Sequence, residues 1–237
     1  MDQKALRRLM KARNLALTPA GRAEASARIF ERLVRLPALD GAGTVGLFAA
    51  LPDEPDTAAW LVQLAATGRR IVLPRVAGQT MDFYEWCPGP ALAVQSAQLA
   101  QPAQLARPAQ PAHPSHPAPD GAAAAASGCV QEPSAATGQQ LRRGAFGILE
   151  PAPGARCCPP GELDCLVIPG TAFSREGARC GRGGGYYDRY LARPGFRARR
   201  IGVCYAHQLL DRLPAEPHDI PMEWVVTDAE CIAPLRD

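Results

Sequence analysis

A chain of 237 residues with a hydrophobic fraction of 47% has enough apolar material for the core of one α/β domain. Its net charge of +3 is too weak for a nucleic-acid footprint, and no run approaches the ~18 consecutive apolar residues of a membrane span. Only Lys4 and Lys11 among the 26 basic residues are lysines, so cationic contacts to phosphate fall mainly to arginine, whose planar fork suits them. The eight cysteines form no C-x-x-C pair and no zinc-like spacing with the four histidines. Several lie in apolar runs, as Cys165 does before Leu166-Val167-Ile168, where a reduced thiol acts as a small hydrophobe. Reduced cysteines and the absence of an apolar segment at the N-terminus predict a cytoplasmic location.

In chain order, residues 3–17 and 19–36 read as two helices, broken at Thr18-Pro19, an N-cap followed by proline at the first helical position. In the first helix Leu6, Leu9, Met10 and Leu17 make an apolar stripe, while Lys4, Arg7, Arg8 and Lys11 share another face. That basic face suits either solvent or a phosphate. A buried strand at 44–48, a helix at 56–66 closed by Gly68 and a strand at 70–74 imply a parallel βαβ unit. Glu54 lies after the first strand, at the carboxyl edge where open α/β sheets place ligands. Stabilisation of the following helix N-terminus is the competing role for that carboxylate.

From about 91 to 140, Ala, Pro and Gln dominate, with too few aliphatic and aromatic residues to offset the entropy of ordering. A disordered insert is expected there, and His113 and His116 within it read as a chance pair. Residues 163–169 then form the clearest central strand, followed by a glycine-rich loop, a helix from Tyr186 to Ala192, a strand at 200–205 and a last strand at 224–227.

The loop Cys180-Gly181-Arg182-Gly183-Gly184-Gly185-Tyr186-Tyr187-Asp188 lies between a strand and a helix, where backbone N–H groups converge on an anion. It is not a Walker A loop, because the chain contains no G-K-[ST], nor a dinucleotide fingerprint, because it is far from the first βαβ turn. Arg179 and Arg182 can neutralise charge on a moving phosphoryl group, and Asp188 can hold Mg²⁺. Alternatively Asp188 caps the helix and Tyr187 packs beneath it.

Ile168-Pro169-Gly170-Thr171-Ala172-Phe173, followed by Gly177 through Arg189, resembles the signature of the 5-formyltetrahydrofolate cyclo-ligases, also called 5,10-methenyltetrahydrofolate synthetases. The similarity extends in order through Lys4-Ala5-Leu6-Arg7, Pro52 to Thr57, Leu73-Pro74-Arg75-Val76, Gly147-Ile148-Leu149-Glu150-Pro151 and His218-Asp219, leaving 91–140 unmatched. The resemblance implies a single domain over 1–237, interrupted by the insert at about 91–140. Its α/β fold is of the NagB/RpiA/CoA-transferase type, a mostly parallel sheet flanked by helices. It implies conversion of 5-formyltetrahydrofolate to 5,10-methenyltetrahydrofolate, with Mg²⁺ and ATP consumed to ADP and phosphate, and only small-molecule partners for a monomer. By the same resemblance ATP is bound by Gln3, Lys4, Arg7, Arg179, Cys180, Gly181, Arg182, Gly183, Gly184, Gly185, Tyr186 and Tyr187. Folate falls to Ala49, Glu54 and the shared stretch Arg182 to Tyr186, catalysis to Arg182 and Tyr186, and Mg²⁺ to Asp188 and Asp219. Cys180 stands where the family more commonly has leucine, and a small apolar filler is expected there.

Overall fold

A computed structural model describes residues 2–89, 141–144, 147–213 and 220–234. The stretch expected to be an insert, with His113 and His116, and the His218-Asp219 pair lie outside the described residues.

Helices α1 (Gln3–Ala16) and α2 (Pro19–Leu33) start at side-chain caps. An Asp2 carboxylate oxygen accepts from the Ala5 N–H at 2.6 Å and the Thr18 hydroxyl from the Gly21 N–H at 3.0 Å, satisfying donors that a helix start leaves orphaned. Helix α2 stops three residues short of the predicted end, at Leu33, and a 3₁₀ turn follows at Pro37–Leu39. Strand β1 (Thr44–Gly46) leads through helix α3 (Ala58–Ala66) to β2 (Arg70–Ala77), as the βαβ pattern predicts. The chain then departs from the pattern: β2 turns straight back into an antiparallel strand, β3 (Thr80–Trp86).

Strands β4 (Leu141–Arg143) and β5 (Leu149–Pro151) form an antiparallel hairpin, and β6 (Cys157–Cys158) adds to β3. The central strand is β7 (Cys165–Pro169), followed by β8 (Ala172–Ser174), β9 (Arg179–Cys180), helix α4 (Tyr186–Leu191) and β10 (Arg199–Val203). Strands β11 (Leu209–Leu210), β12 (Trp224–Val226) and β13 (Cys231–Ile232) complete the chain. The main sheet runs β13-β12-β10-β7-β1-β2-β3-β6, with the five strands from β12 to β2 mutually parallel and antiparallel strands at both margins. None of the described helices is long and apolar enough to cross a membrane.

Alternation along the strands divides the core between two faces. Ile71, Leu73, Cys165 and Val167 pack with Ile29 and Leu33 of α2 and Trp60, Leu61 and Leu64 of α3. Their neighbours Val72, Leu166 and Ile168 pack with Tyr190 and Leu191 of α4. Helix α1 belongs to neither layer: its Leu6 and Met10 are buried with Ala172 and Cys180, which fixes α1 on the separate β11-β8-β9 ribbon. The ribbon is in turn held to the sheet by Phe173, fully buried, whose ring occupies the space that side chains at Gly170 and Gly202 would need, within 2.6 and 2.4 Å of an added Cβ. Truncation by Phe173→Ala leaves a cavity at this joint and is expected to lower the unfolding free energy by roughly 3–5 kcal/mol. Urea denaturation measures it, and a loss below about 1 kcal/mol is too small for a ring filling such a gap.

Candidate active site

Strand β1 connects through α3 to β2 on one side of the sheet, whereas its neighbour β7 connects through the glycine loop and α4 to β10 on the other. The two loops diverge at the carboxyl ends of β1 and β7, which is the topological switch point where such sheets open a crevice. A cleft of about 670 Å³ lies there, walled by Phe48, Ala49, Pro74, Val76, Met81 and Tyr186 among others.

Arg182 spans the crevice. Its Nε donates to Glu54 Oε1 at 2.9 Å and its Nη2 to Asp53 Oδ1 at 2.8 Å, joining the glycine loop to the loop after β1. Glu54 Oε2 accepts from the Leu51 N–H at 2.9 Å, and the Tyr205 hydroxyl donates to the Glu54 carbonyl at 3.0 Å. Burial pushes the Glu54 carboxyl above the usual glutamate value, with the Arg182 charge and the Leu51 N–H opposing. Glu54 therefore faces the glycine loop and is not a dipole partner of α3, whose N-cap residue is Thr57.

The glycines shape the loop at two points. Gly183, at φ +96°, lies against the Arg7 guanidinium, and Gly185, at φ +66°, turns the chain into α4. Arg7 reaches the loop from α1, its Nε donating to the Gly181 carbonyl at 2.8 Å and its Nη2 to Gln3 Oε1 at 2.6 Å. Arg7, Arg8, Lys11 and Arg182 line a second, basic bay of about 240 Å³, which shares Lys11, Asp53, Gly170 and Arg182 with the cleft. The basic face of α1 is thus aimed at the site over most of its length. Lys4 is the exception: it is exposed and lines neither chamber. Cys180 is buried as the small apolar filler expected, so it positions the loop from beneath and offers a ligand only its backbone.

Helix α4 has only six residues, which limits the dipole the sequence pattern assigns to it, so the arginines are the main positive charge at this loop. Asp188 does not cap this helix. It accepts from Arg179 Nη2, and Arg179, almost wholly buried, leaves its Nε without a partner. Tyr187 packs against the same guanidinium, 5.5 Å from ring centroid to Cζ, and burial pushes its phenol well above the usual value. The Tyr186 hydroxyl donates to the Gly78 carbonyl at 3.1 Å, while Arg189 donates to the carbonyls of Gln79 and Gly184. These bonds tie the β2–β3 turn to the start of α4.

Mg²⁺ commonly binds through one or two carboxylates, with phosphate and water oxygens completing its shell. Asp188 lines the cleft and has one oxygen beyond its bond to Arg179, so a one-carboxylate site fits the residues present. No cluster of three or more His, Cys, Asp or Glu side chains suited to a metal occurs among the described residues. Asp219, the second carboxylate expected, lies outside them.

Several residues at the site have no sequence signal. Asp53 neighbours Glu54 yet shares Arg182 equally. Asn14 donates to the Asp53 carbonyl at 2.9 Å and accepts from His207 Nε2 at 2.6 Å, fastening α1 to the same loop. Burial and the Arg13 charge push the His207 pKa down.

The sequence profile of the 5-formyltetrahydrofolate cyclo-ligase family matches residues 1–115 and 124–228. The chain belongs to that family. It is 44% identical over 92 residues to the 5-formyltetrahydrofolate cyclo-ligase of Mycolicibacterium smegmatis, a match covering 38% of this chain and 47% of that protein. With the cyclo-ligase of Escherichia coli it shares 26% identity over 227 residues, covering 94% of this chain and 98% of the relative. The NMR structure of Aquifex aeolicus 5,10-methenyltetrahydrofolate synthetase matches with a TM-score of 0.69 and 26% identity, over 100% of this chain and 94% of that one. A synthetase structure from Mycoplasma pneumoniae, at 20% identity and a TM-score of 0.62, shares the fold.

In this cyclo-ligase fold Glu54 holds its proton more tightly than an unfolded chain would, so its contribution is present below pH about 4.5 and is lost as pH rises through its raised folded value. Glu54→Gln removes that loss. The melting temperature of the variant relative to the parent is expected to rise between pH 4 and pH 7, as thermal unfolding in matched buffers measures. A difference independent of pH contradicts the burial of this charge.

Proposed function

We propose that the two chambers divide the work of a cyclo-ligase, with the nucleotide phosphates in the basic bay and the folate in the cleft. The chain is an enzyme that converts 5-formyltetrahydrofolate to 5,10-methenyltetrahydrofolate, and the coupling of this reaction to ATP is part of the proposal. The observation that carries it is the position of Arg182, common to both chambers and bonded across the crevice to Asp53 and Glu54.

In this mechanism the formyl oxygen of the folate attacks the γ-phosphorus, the bond to the ADP oxygen breaks, and the formyl carbon becomes an activated imidate-like phosphate. The folate's own N10 attacks that carbon, its proton passes to solvent, and the C–O bond breaks to release phosphate as the ring closes. No protein nucleophile takes part. Positioning and charge compensation are what the residues supply. Arg7 and Lys11 neutralise the phosphates, Arg182 follows the transferring group, and the loop from Arg179 to Tyr187 cradles it, with Tyr186 also walling the folate. Mg²⁺, held by Asp188 with Asp219 as the second carboxylate, would supply further charge neutralisation at the β- and γ-phosphates. Glu54 and Ala49 belong to the folate wall. The proposal also takes the chain as one cyclo-ligase domain, interrupted at about 91–140, acting as a cytoplasmic monomer without nucleic-acid partners.

Purified protein is expected to release phosphate from ATP only when 5-formyltetrahydrofolate is present, in step with the absorbance of the methenyl product. Release at the same rate without folate overturns the coupling. Arg182→Ala is expected to lower kcat/KM by at least about 100-fold with the circular dichroism spectrum retained, since it removes a cation from the moving charge. Full activity in that variant removes Arg182 from the mechanism.

A further inference from the structure

Among the described residues four carboxylates line the cleft, and three of them are engaged by arginine. Asp53 and Glu54 share Arg182, and Asp188 holds Arg179. The fourth is Glu150, in the segment Gly147-Ile148-Leu149-Glu150-Pro151, for which the mechanism has no use. It is 2% exposed, and among the described residues no lysine, arginine or histidine pairs with it. Its Oε1 accepts from the Val76 N–H at 3.1 Å, at the end of β2. The carboxylate and its stem lie across Gly144, where an added Cβ would fall 1.8 Å from Oε2. The backbone thus makes room for the side chain, and among the described residues one N–H, that of Val76, holds it.

A buried carboxylate with one neutral donor is costly unless further donors reach it. The adjoining walls of the cleft indicate what kind of group supplies them. Val76, Met81, Ile148 and Tyr186 are apolar or aromatic and suit a flat ring. A second anion is disfavoured beside a carboxylate that no cation pairs with among the described residues, so neither a phosphate nor the glutamate tail of a folate suits this end. A heterocycle edge carrying adjacent N–H groups does fit, because a carboxylate accepts two parallel donors.

Resting on the folate assignment of the cleft, we propose that Glu150 is a specificity-determining residue that accepts the ring N–H and the 2-amino group of the folate's aminopyrimidinone ring. Glu54, with both oxygens already bonded to Arg182 and Leu51, stays on the folate wall beside the glycine loop, and Glu150 orients the far end of the ring. A site built to accept N–H donors rejects an analogue that lacks them far more strongly than an apolar pocket does.

The test compares the parent enzyme with Glu150→Gln, which keeps an acceptor for Val76 but places an NH₂ group against the donors of the ring. Steady-state kinetics with 5-formyltetrahydrofolate and ATP, calorimetric binding of each substrate, and the melting temperature are measured. Glu150→Gln is expected to raise the folate KM and dissociation constant at least tenfold, with the ATP values within twofold and the melting temperature retained. The 2-deamino analogue of 5-formyltetrahydrofolate is expected to bind the parent at least tenfold more weakly than the natural substrate, and to bind Glu150→Gln no worse than it binds the parent. A variant with unchanged folate affinity, or penalties for the analogue and the variant that simply add, overturns the assignment. Weakened binding of both substrates together with a lowered melting temperature also overturns it, in favour of a purely structural bond to Val76. A parent enzyme that binds no 5-formyltetrahydrofolate overturns the folate function itself, and so is distinguishable from all of these.

Discussion

The ion pairs that Arg182 makes across the crevice are the constraint on which the site depends. Parallel strands bring β1 and β7 side by side, but their connections leave in opposite directions and would otherwise separate at the carboxyl edge. One guanidinium closes that separation by bonding Asp53 and Glu54 from the glycine loop. The geometry of the fork matters, because a lysine ammonium is a point charge and does not present two fixed, divergent N–H groups. The arrangement is costly for Glu54, whose burial raises its pKa, and such local cost is characteristic of sites whose charges are arranged for chemistry.

Helix α1 is the second determinant. It contributes nothing to the two main layers of the core, and it is held by Leu6 and Met10 on the β11-β8-β9 ribbon and by the Asn14 bonds to Asp53 and His207. Its role is to carry cations to the site. The apolar contact through Cys180 sets the height of the helix above the loop, which in turn lets the Arg7 guanidinium bond the Gly181 carbonyl.

The parallel core was legible in the sequence because its strands are short, dense apolar runs covered on both faces, and β1 with its following helix shows the βαβ pattern. The antiparallel margins were not. Strand β3 mixes exposed and buried residues and follows a two-residue turn at Gly78-Gln79, while the two-residue strands β6 and β13 are too short to show a period. At the site, the glycine loop, Arg7 and Glu54 stood out through their chemistry and their resemblance to a known family. Asn14, His207 and Asp53 did not, because what they do depends on contacts 39 to 193 residues apart in sequence. The family resemblance also assigned Lys4 to ATP with Arg7, while in the fold Lys4 is exposed and lines neither chamber. Asp188 illustrates a further limit: a carboxylate at a helix start reads as a cap, and only the fold reveals the buried Arg179 beside it.

The bonds from Tyr186 and Arg189 to the carbonyls of Gly78 and Gln79 have a mechanical meaning. The turn they hold is the tip of the β2–β3 hairpin, whose Val76 and Met81 line the cleft, and the residues holding it begin immediately after the glycine loop. The two chambers therefore share a hinge-free corner. A ligand that tightened the loop would act through these bonds on the far wall as well, and by linkage the reverse would hold. On the proposed assignment of the chambers, nucleotide and folate would meet at this one turn, so coupling between them would need no movement of domains.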